Sequence, residues 1–250
     1  MASSLDDESL RDIKSHSTHS IEQLEWVPLS LTLVEYPAGD LIGKFLALIS
    51  LMPFAVIAGF LTLVLFRRDL HTIAFLGGVV VNEVVNFSLK HAIREARPIR
   101  REVIYTEYGM PSAHTQFMWF FATYATIFVF VRLHHNNNST VSERFWRITI
   151  IASCVGVATL VAFSRIYLQY HSIAQVLCGV IVGIFVGSVW FLVTHLVLTP
   201  FFPIIVSWRI SEYLLLRDTT LIPNVLWFEY TNARAEARAR SRKLVSMKSQ

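Results

Sequence analysis

The stretch IAQVLCGVIVGIFVGSVWFLVTHLVL, residues 173–198, runs without a single Asp, Glu, Lys or Arg. A bilayer's hydrocarbon core is about 30 Å thick and takes about 20 helical residues to cross. This run is long enough to cross. Working outward, four more segments meet the same test: 45–66, 70–92, 114–133 and 145–166. Short charged turns separate them, Arg67-Arg68-Asp69 among them. The whole chain of 250 residues is 54% hydrophobic and 16% charged, values foreign to a soluble domain and normal for a membrane protein. The expected fold is therefore all-α: a polytopic membrane helix bundle with about five transmembrane helices.

The ends are polar. Residues 1–25 read as a polar, disordered tail, with no apolar core behind a basic start that would make a signal peptide. Its Ser15-His16-Ser17-Thr18-His19-Ser20 run has no partner ligands at metal-binding spacing. Residues 26–230 read as the membrane-embedded domain and 231–250 as a basic tail. In residues 201–217, Pro200 and Pro203 lead into Arg209 and Glu212. A charge at the centre of a spanning helix costs about 2.5–3.5 kcal/mol on insertion scales. This segment reads as an interfacial amphipathic helix, with a short sixth span as the alternative. Past Pro223 the pattern is Ala/Arg/Glu-rich, an exposed helix.

Net charge is +4, concentrated at the carboxyl end, and no nucleic-acid-binding module accompanies it. Cys154 and Cys178 both lie within apolar spans, where they read as small packing residues. Lysine and arginine in short loops mark the cytosolic side. The turn 67–69, the loop 132–147 and the tail 234–248 all share that side when the spans number five. Loop 93–113 breaks the pattern: it carries Arg94, Arg97, Arg100 and Arg101 yet falls on the opposite side. Phosphate binding would explain it.

Three clusters hold the polar chemistry. In Lys90-His-Ala-Ile-Arg-Glu-Ala-Arg97-Pro98, Lys90 and Arg97 stand seven apart and can share a helix face, and Pro98 favours a helix end at Arg97. Gly109-Met-Pro-Ser112-Ala113-His114 opens the third span, where unpaired main-chain N–H groups and the helix dipole attract an anion. Ser164-Arg165-Ile-Tyr-Leu-Gln-Tyr-His171-Ser-Ile-Ala-Gln175 joins the fourth span to the fifth. There Arg165 offers a guanidinium fork, and Gln175 stands one turn from His171. Alone, each cluster is ordinary: snorkelling cations, a helix cap, a polar turn. Five spans bring all three to one face and one depth. Asn82, Asn86 and Lys90 form a polar stripe toward that face. Glu83 beside them is a functional candidate by default, with interhelical hydrogen bonding as the plain reading.

Lys, six residues, Arg-Pro; then Pro-Ser-x-His; then Ser-Arg, five residues, His: these three parts in order resemble the signature of the type 2 phosphatidic acid phosphatase superfamily. Within it the chain is similar to the dolichyl diphosphate phosphatases over residues 26 to the end. Val34-Glu-Tyr-Pro-Ala-Gly-Asp40, the stretch 109–121 and Leu221-Ile-Pro-Asn-Val-Leu-Trp-Phe-Glu-Tyr-Thr231 carry that likeness. The resemblance implies a polyprenyl (dolichyl) diphosphate substrate and a site on the lumenal face of the endoplasmic reticulum membrane. It implies His171 as nucleophile and His114 as acid, then base. Lys90, Arg97, Ser112 and Arg165 would form the phosphate cradle, with main-chain N–H groups near Ala113 and His114. No cofactor and no metal are implied, and two imidazoles suffice for phosphoryl transfer. Where many members carry Asp four residues after the nucleophile, this chain has Gln175, which orients an imidazole without stabilising its cation as a carboxylate does. Glu102 or Glu107 would be a carboxylate from elsewhere. The catalytic clusters read only the phosphate, so another lipid phosphatase remains an alternative reading, as does a non-catalytic transporter or scaffold. Asn137 and Asn138 each head an acceptor sequon; the topology puts them in the cytosol, unglycosylated.

Overall fold

The computed structural model describes residues 26–28, 34–99, 108–132, 141–222 and 225–248. The sequons at Asn137 and Asn138, Glu102, Glu107 and the amino-terminal histidines lie outside these residues. The first described element is a feature the sequence reading did not anticipate, a short antiparallel pair of strands. β1 (Trp26–Pro28) faces β2 (Glu35–Pro37), with Val27 opposite Tyr36.

Helices follow. α1 (Leu41–Ile49) is capped by Asp40, whose carboxylate accepts from the Ile42 N–H at 3.0 Å. A break at Ser50 and Leu51 separates it from α2 (Met52–Arg67). Pro53 falls in the first turn of α2, where its missing N–H costs nothing. α3 (Leu70–Ile93) starts at Asp69, which accepts from the Thr72 N–H at 3.2 Å. α4 (Ala113–Arg132), α5 (Val141–Tyr167) and α6 (Ile173–Leu192) complete the bundle. α6 runs on through a π turn (Val193–Leu198) and a 3-10 turn (Thr199–Phe201) into α7 (Phe202–Val206).

Among the described residues four helical stretches are long and apolar enough to cross a membrane: Leu41–Arg67, Leu70–Ile93, Arg144–Tyr167 and Ile173–Val206. α4 matches them in length, but its first turns carry His114, Thr115 and Gln116. It can afford this polarity because it is the central helix. Phe117, Met118, Phe120, Ala122 and Tyr124 are buried, and α4 packs on α6 above all, then α5 and α3. The outer helices turn Leu61, Val84, Phe87, Ile148, Leu160, Ile181 and Phe185 outward. An exposed apolar surface of this extent belongs in lipid, and the protein is a multi-pass membrane protein.

The α4–α6 contact is a backbone contact. Gly179, Gly183 and Gly187 line one face of α6 at a four-residue interval. A Cβ at each would lie 2.9 Å from the Ser112 carbonyl oxygen, 2.5 Å from that of Gln116 and 2.9 Å from that of Phe120. The partners on α4 also advance by four, so the two helices run parallel and in step. Small residues that let backbones touch are the usual basis of close helix pairs in lipid. Across α3, Gly78 makes room for the Trp190 indole, which donates to the Ala74 carbonyl at 2.9 Å.

Residues 201–217 do not form a sixth span. α7 has five residues and α8 (Arg209–Leu214) six, far short of the length a crossing needs. The chain instead folds back onto the α2–α3 turn. There the Arg217 N–H donates to the Arg68 carbonyl at 2.9 Å and Thr219 Oγ1 to Asp69 at 2.6 Å. The last span also ends later than residue 198, at Val206. α9 (Val225–Lys248) is one exposed helix that runs unbroken through residues 230 and 231. Glu229 in its first turns meets Arg67 at 3.4 Å and Arg217 at 3.2 Å. Each of these part-exposed pairs contributes about 0–1 kcal/mol.

Leucine at position 183 would force α4 and α6 apart. Overpacking of this kind costs about 1–3 kcal/mol, so Gly183→Leu should lower the thermal midpoint of the detergent-solubilised protein. Gly156→Leu on α5, where a Cβ meets nothing within 4 Å, should leave it unchanged.

Candidate active site

α3 ends at Ile93, four residues before the position that Pro98 suggested. Arg94 takes a left-handed conformation (φ 54°) and its N–H caps the Lys90 carbonyl at 3.0 Å. The chain then leaves the helix axis. The Glu95 carbonyl accepts the Gly109 N–H at 2.7 Å, and Ala96 pairs with Tyr108 as an antiparallel bridge. This clip sets both flanks of the intervening segment. Arg97 thus reaches the site from an extended segment, not from a shared helix face with Lys90.

Ser112 is fully buried at the mouth of α4. Its N–H donates to the Gln175 carbonyl at 3.1 Å, its carbonyl accepts from Gln116 N–H at 2.9 Å, and its Oγ accepts from Thr115 Oγ1 at 3.1 Å. Ala113 and His114 are the first two residues of α4. The N–H groups of a first turn have no intrahelical acceptor, which leaves them open to an anion. Phe54 of α2 stands edge-on to the His114 ring, 6.1 Å between centroids.

Ser164 and Arg165 are buried in the last turn of α5. The Arg165 carbonyl accepts the N–H groups of Tyr170 (3.0 Å) and His171 (3.2 Å), which folds 165–171 into a tight turn. The Arg165 guanidinium lies 4.0 Å above the Tyr170 ring. Tyr170 Oη in turn accepts the Glu35 N–H at 2.8 Å, tying β2 to this turn.

His171 is buried, two residues before α6. Its Nδ1 is 3.1 Å from Gln175 Oε1. Gln175 is also half of a capping box: its N–H donates to Ser172 Oγ, and its Oε1 accepts the Ser172 N–H, both at 3.3 Å. The other end of the amide donates to Glu95 Oε1 (2.9 Å) and to the Ala96 carbonyl (2.8 Å). Gly109 packs flat on this amide, since a Cβ there would lie 2.7 Å from both Nε2 and Oε1.

Burial, and then the charges of Arg165 and Arg97, push the His171 imidazole well below its ordinary pKa; the bond to Gln175 opposes them, and Lys90 adds a smaller push. The neutral ring is therefore the form present at neutral pH. The same cations and His171 act on His114. Arg97 and Arg165 act on Lys90. Lys90, Arg97, Ser112, Ala113, His114, Arg165, His171 and Gln175 thus gather at one end of the bundle, opposite the α2–α3 turn. Among the described residues no group of three His, Cys, Asp or Glu could hold a metal ion.

The polar stripe on α3 has a structural use. Gln116 donates to Asn82 Oδ1 (3.0 Å) and accepts from Asn86 Nδ2 (2.8 Å). Glu83 is exposed on the outer side. Sequence reasoning missed Glu95 and Gly109. Both sat inside quoted motifs, but nothing local marks them, because their partner lies some eighty residues on in Glu95's case.

The chain that builds this end of the bundle has known relatives. Residues 71–198 match the model of the PAP2 superfamily. Human dolichyldiphosphatase 1 is 53% identical over 221 residues, 88% of this chain and 93% of that protein. Lipid phosphate phosphatase gamma of Arabidopsis thaliana is 40% identical, over 83% of this chain and 91% of its own length. Dolichyldiphosphatase of Saccharomyces cerevisiae is 30% identical, over 68% and 72%. The chain belongs to the PAP2 superfamily.

A side chain at position 109 would push the Gln175 amide off His171. Misplacing a reacting group by about 1 Å can lower a rate about 10²-fold. Gly109→Val should therefore cut phosphate release from a lipid diphosphate on that scale, with the amount of folded protein in membranes unchanged.

Proposed function

We propose that the protein is a dolichyldiphosphatase: it hydrolyses dolichyl diphosphate to dolichyl phosphate and inorganic phosphate through a phosphohistidine on His171. The observation that carries this reading is a buried neutral imidazole beside Arg165 and Arg97, its Nδ1 engaged by an amide oxygen. That bond makes Nδ1 the protonated nitrogen and leaves the Nε2 lone pair free to attack. Human dolichyldiphosphatase 1 is 53% identical along most of the chain, against 40% for lipid phosphate phosphatase gamma, and this higher identity favours dolichyl diphosphate over another lipid phosphate.

The steps follow from the groups present. Lys90, Arg97, Ser112, Arg165 and the N–H groups at Ala113 and His114 hold the terminal phosphoryl oxygens and take up charge as it develops. Nε2 of His171 attacks the terminal phosphorus. The bond to the bridging oxygen breaks, and that oxygen keeps the electron pair and takes a proton from His114, which enters the step as the imidazolium, held protonated by the negative charge of the bound diphosphate. Dolichyl phosphate departs. His114, now a base, takes a proton from water as the water oxygen attacks phosphorus. The P–N bond breaks and its electrons return to Nε2, releasing inorganic phosphate.

The basic turn Arg67-Arg68 and the basic helix α9 lie at the end of the bundle away from the site, which supports a cytosolic placement of that end. The catalytic end then faces the lumen of the endoplasmic reticulum, where the product is a carrier lipid reusable in protein N-glycosylation.

The direct test is phosphate release by purified protein from dolichyl diphosphate, phosphatidate and a sphingoid phosphate. Dolichyl diphosphate should be turned over fastest, with and without chelator. Faster turnover of phosphatidate would replace the substrate assignment, and activity lost in EDTA and restored by a divalent ion would replace the mechanism.

Substitution separates the two histidines. His171→Ala should abolish both turnover and covalent phosphate trapping; phosphate still trapped in that variant would move the nucleophile elsewhere. His114→Ala should lose about 10²–10⁴ in rate, the contribution of a general acid–base group. The loss should shrink on a substrate with a good leaving group.

A further inference from the structure

We infer that Glu95 is a positioning residue for His171 and that it acts through the side-chain amide of Gln175; the inference rests on the proposed role of His171. An amide offers two N–H donors and one acceptor oxygen. In Gln175 both ends are committed: Nε2 donates to Glu95 Oε1 at 2.9 Å and to the Ala96 carbonyl at 2.8 Å, while Oε1 faces His171 Nδ1 and the Ser172 N–H. Which way an amide points is decided by its partners. The reverse orientation would aim an oxygen at the Glu95 carboxylate and the Ala96 carbonyl, and a pair of N–H groups at the Ser172 N–H. Glu95 therefore holds the oxygen on the histidine.

The carboxylate does more than orient. A hydrogen bond to an ionised acceptor is stronger than one between neutral groups, and linked hydrogen bonds polarise one another. Electron density drawn toward Oε1 strengthens its hold on the Nδ1 hydrogen. That hold matters most as the Nε2–P bond forms, because the ring then becomes cationic. The groups acting on His171 are otherwise unfavourable to a cation: Arg165 from α5, Arg97 from the clip and Lys90 from α3, and His171 in turn acts electrostatically on His114 of α4. Glu95 is the carboxylate in this chain of contacts. It supplies across one amide the negative charge that a glutamine at position 175 lacks.

The test uses full-length protein in detergent and two kinds of readout. Imidazole ¹⁵N NMR without substrate reads the His171 tautomer; steady-state kinetics on dolichyl diphosphate read kcat, KM and the pH profile. Parent protein should show the Nδ1–H tautomer. Glu95→Gln keeps an acceptor but removes the charge: kcat should fall about tenfold, the scale of one charge-assisted hydrogen bond. KM should change little, and the acid limb of the profile should move to lower pH, because a cationic ring has lost its counter-charge. Glu95→Ala should also mix the tautomers. Gln175→Asp alone sets two carboxylates together and should be poorly active, and adding Glu95→Gln should restore activity above that single variant. Parental kinetics in Glu95→Ala would overturn the inference. So would lost kcat with parental tautomer and pH profile, which would assign Glu95 to the fold alone. The NMR arm needs no substrate, so failure of the parent to hydrolyse dolichyl diphosphate would reject the substrate assignment and leave the tautomer result to decide the role of Glu95.

Discussion

Two helix backbones touch at the centre of this bundle, and the rest of the molecule is arranged around that contact. α4 and α6 run parallel, with Gly179, Gly183 and Gly187 set against the carbonyls of Ser112, Gln116 and Phe120. Because the pair is parallel and Ser112 stands opposite Gly179, α4 begins about level with the second turn of α6. The Ser112 N–H and the Gln175 carbonyl join the mouth of α4 to the first turn of α6. Two positive dipole ends thus open toward one point. A Cβ on any of the three glycines moves one helix start relative to the other, and with it the distance between the imidazoles.

Three cations, the buried His171 and the half-buried His114 crowd that point, and like charges in a part-buried site repel. Arg97 and Arg165 act on Lys90, and all three act on His114. The Arg165 guanidinium lies over the Tyr170 ring, and His171 meets the Gln175 amide. A phosphate with two or more negative charges is the ligand that relieves such a site, while a neutral or cationic headgroup would gain nothing there. The field also explains why a neutral glutamine is workable beside His171: with the charge of Glu95 one amide removed, the resting imidazole stays unprotonated.

What the sequence made legible was local. A span is recognised by its own composition, and each motif lies within a dozen residues. That the motifs share one face follows from counting spans. Less legible was whatever depends on a partner far along the chain. The Gly179-x3-Gly183-x3-Gly187 spacing was present in the quoted run, but its meaning needs the carbonyls of α4. The Lys90 helix ended before Arg97 because Arg94 turns left-handed and the clip with Tyr108 and Gly109 takes over, a tertiary pairing with no sequence period. Residues 201–217 were ambiguous by hydropathy alone, and the Arg68–Arg217 backbone pairing settles them. Glu95 went unremarked because a surface glutamate at a helix end is ordinary until its carboxylate is seen against a buried amide.

The break between α1 and α2 bears on how products leave. It sets Phe54 edge-on to His114, and Phe54 itself is 61% exposed on a membrane-crossing stretch. The wall beside His114 is therefore the lipid boundary. In the proposed reaction the leaving group takes its proton within reach of hydrocarbon, while the phosphoryl group stays on the aqueous side of the ring. Each turnover would then sort its two products into different phases. On that reading the prenyl chain would diffuse away in two dimensions without being enclosed by protein, and the length of its tail would add nothing to the work of release.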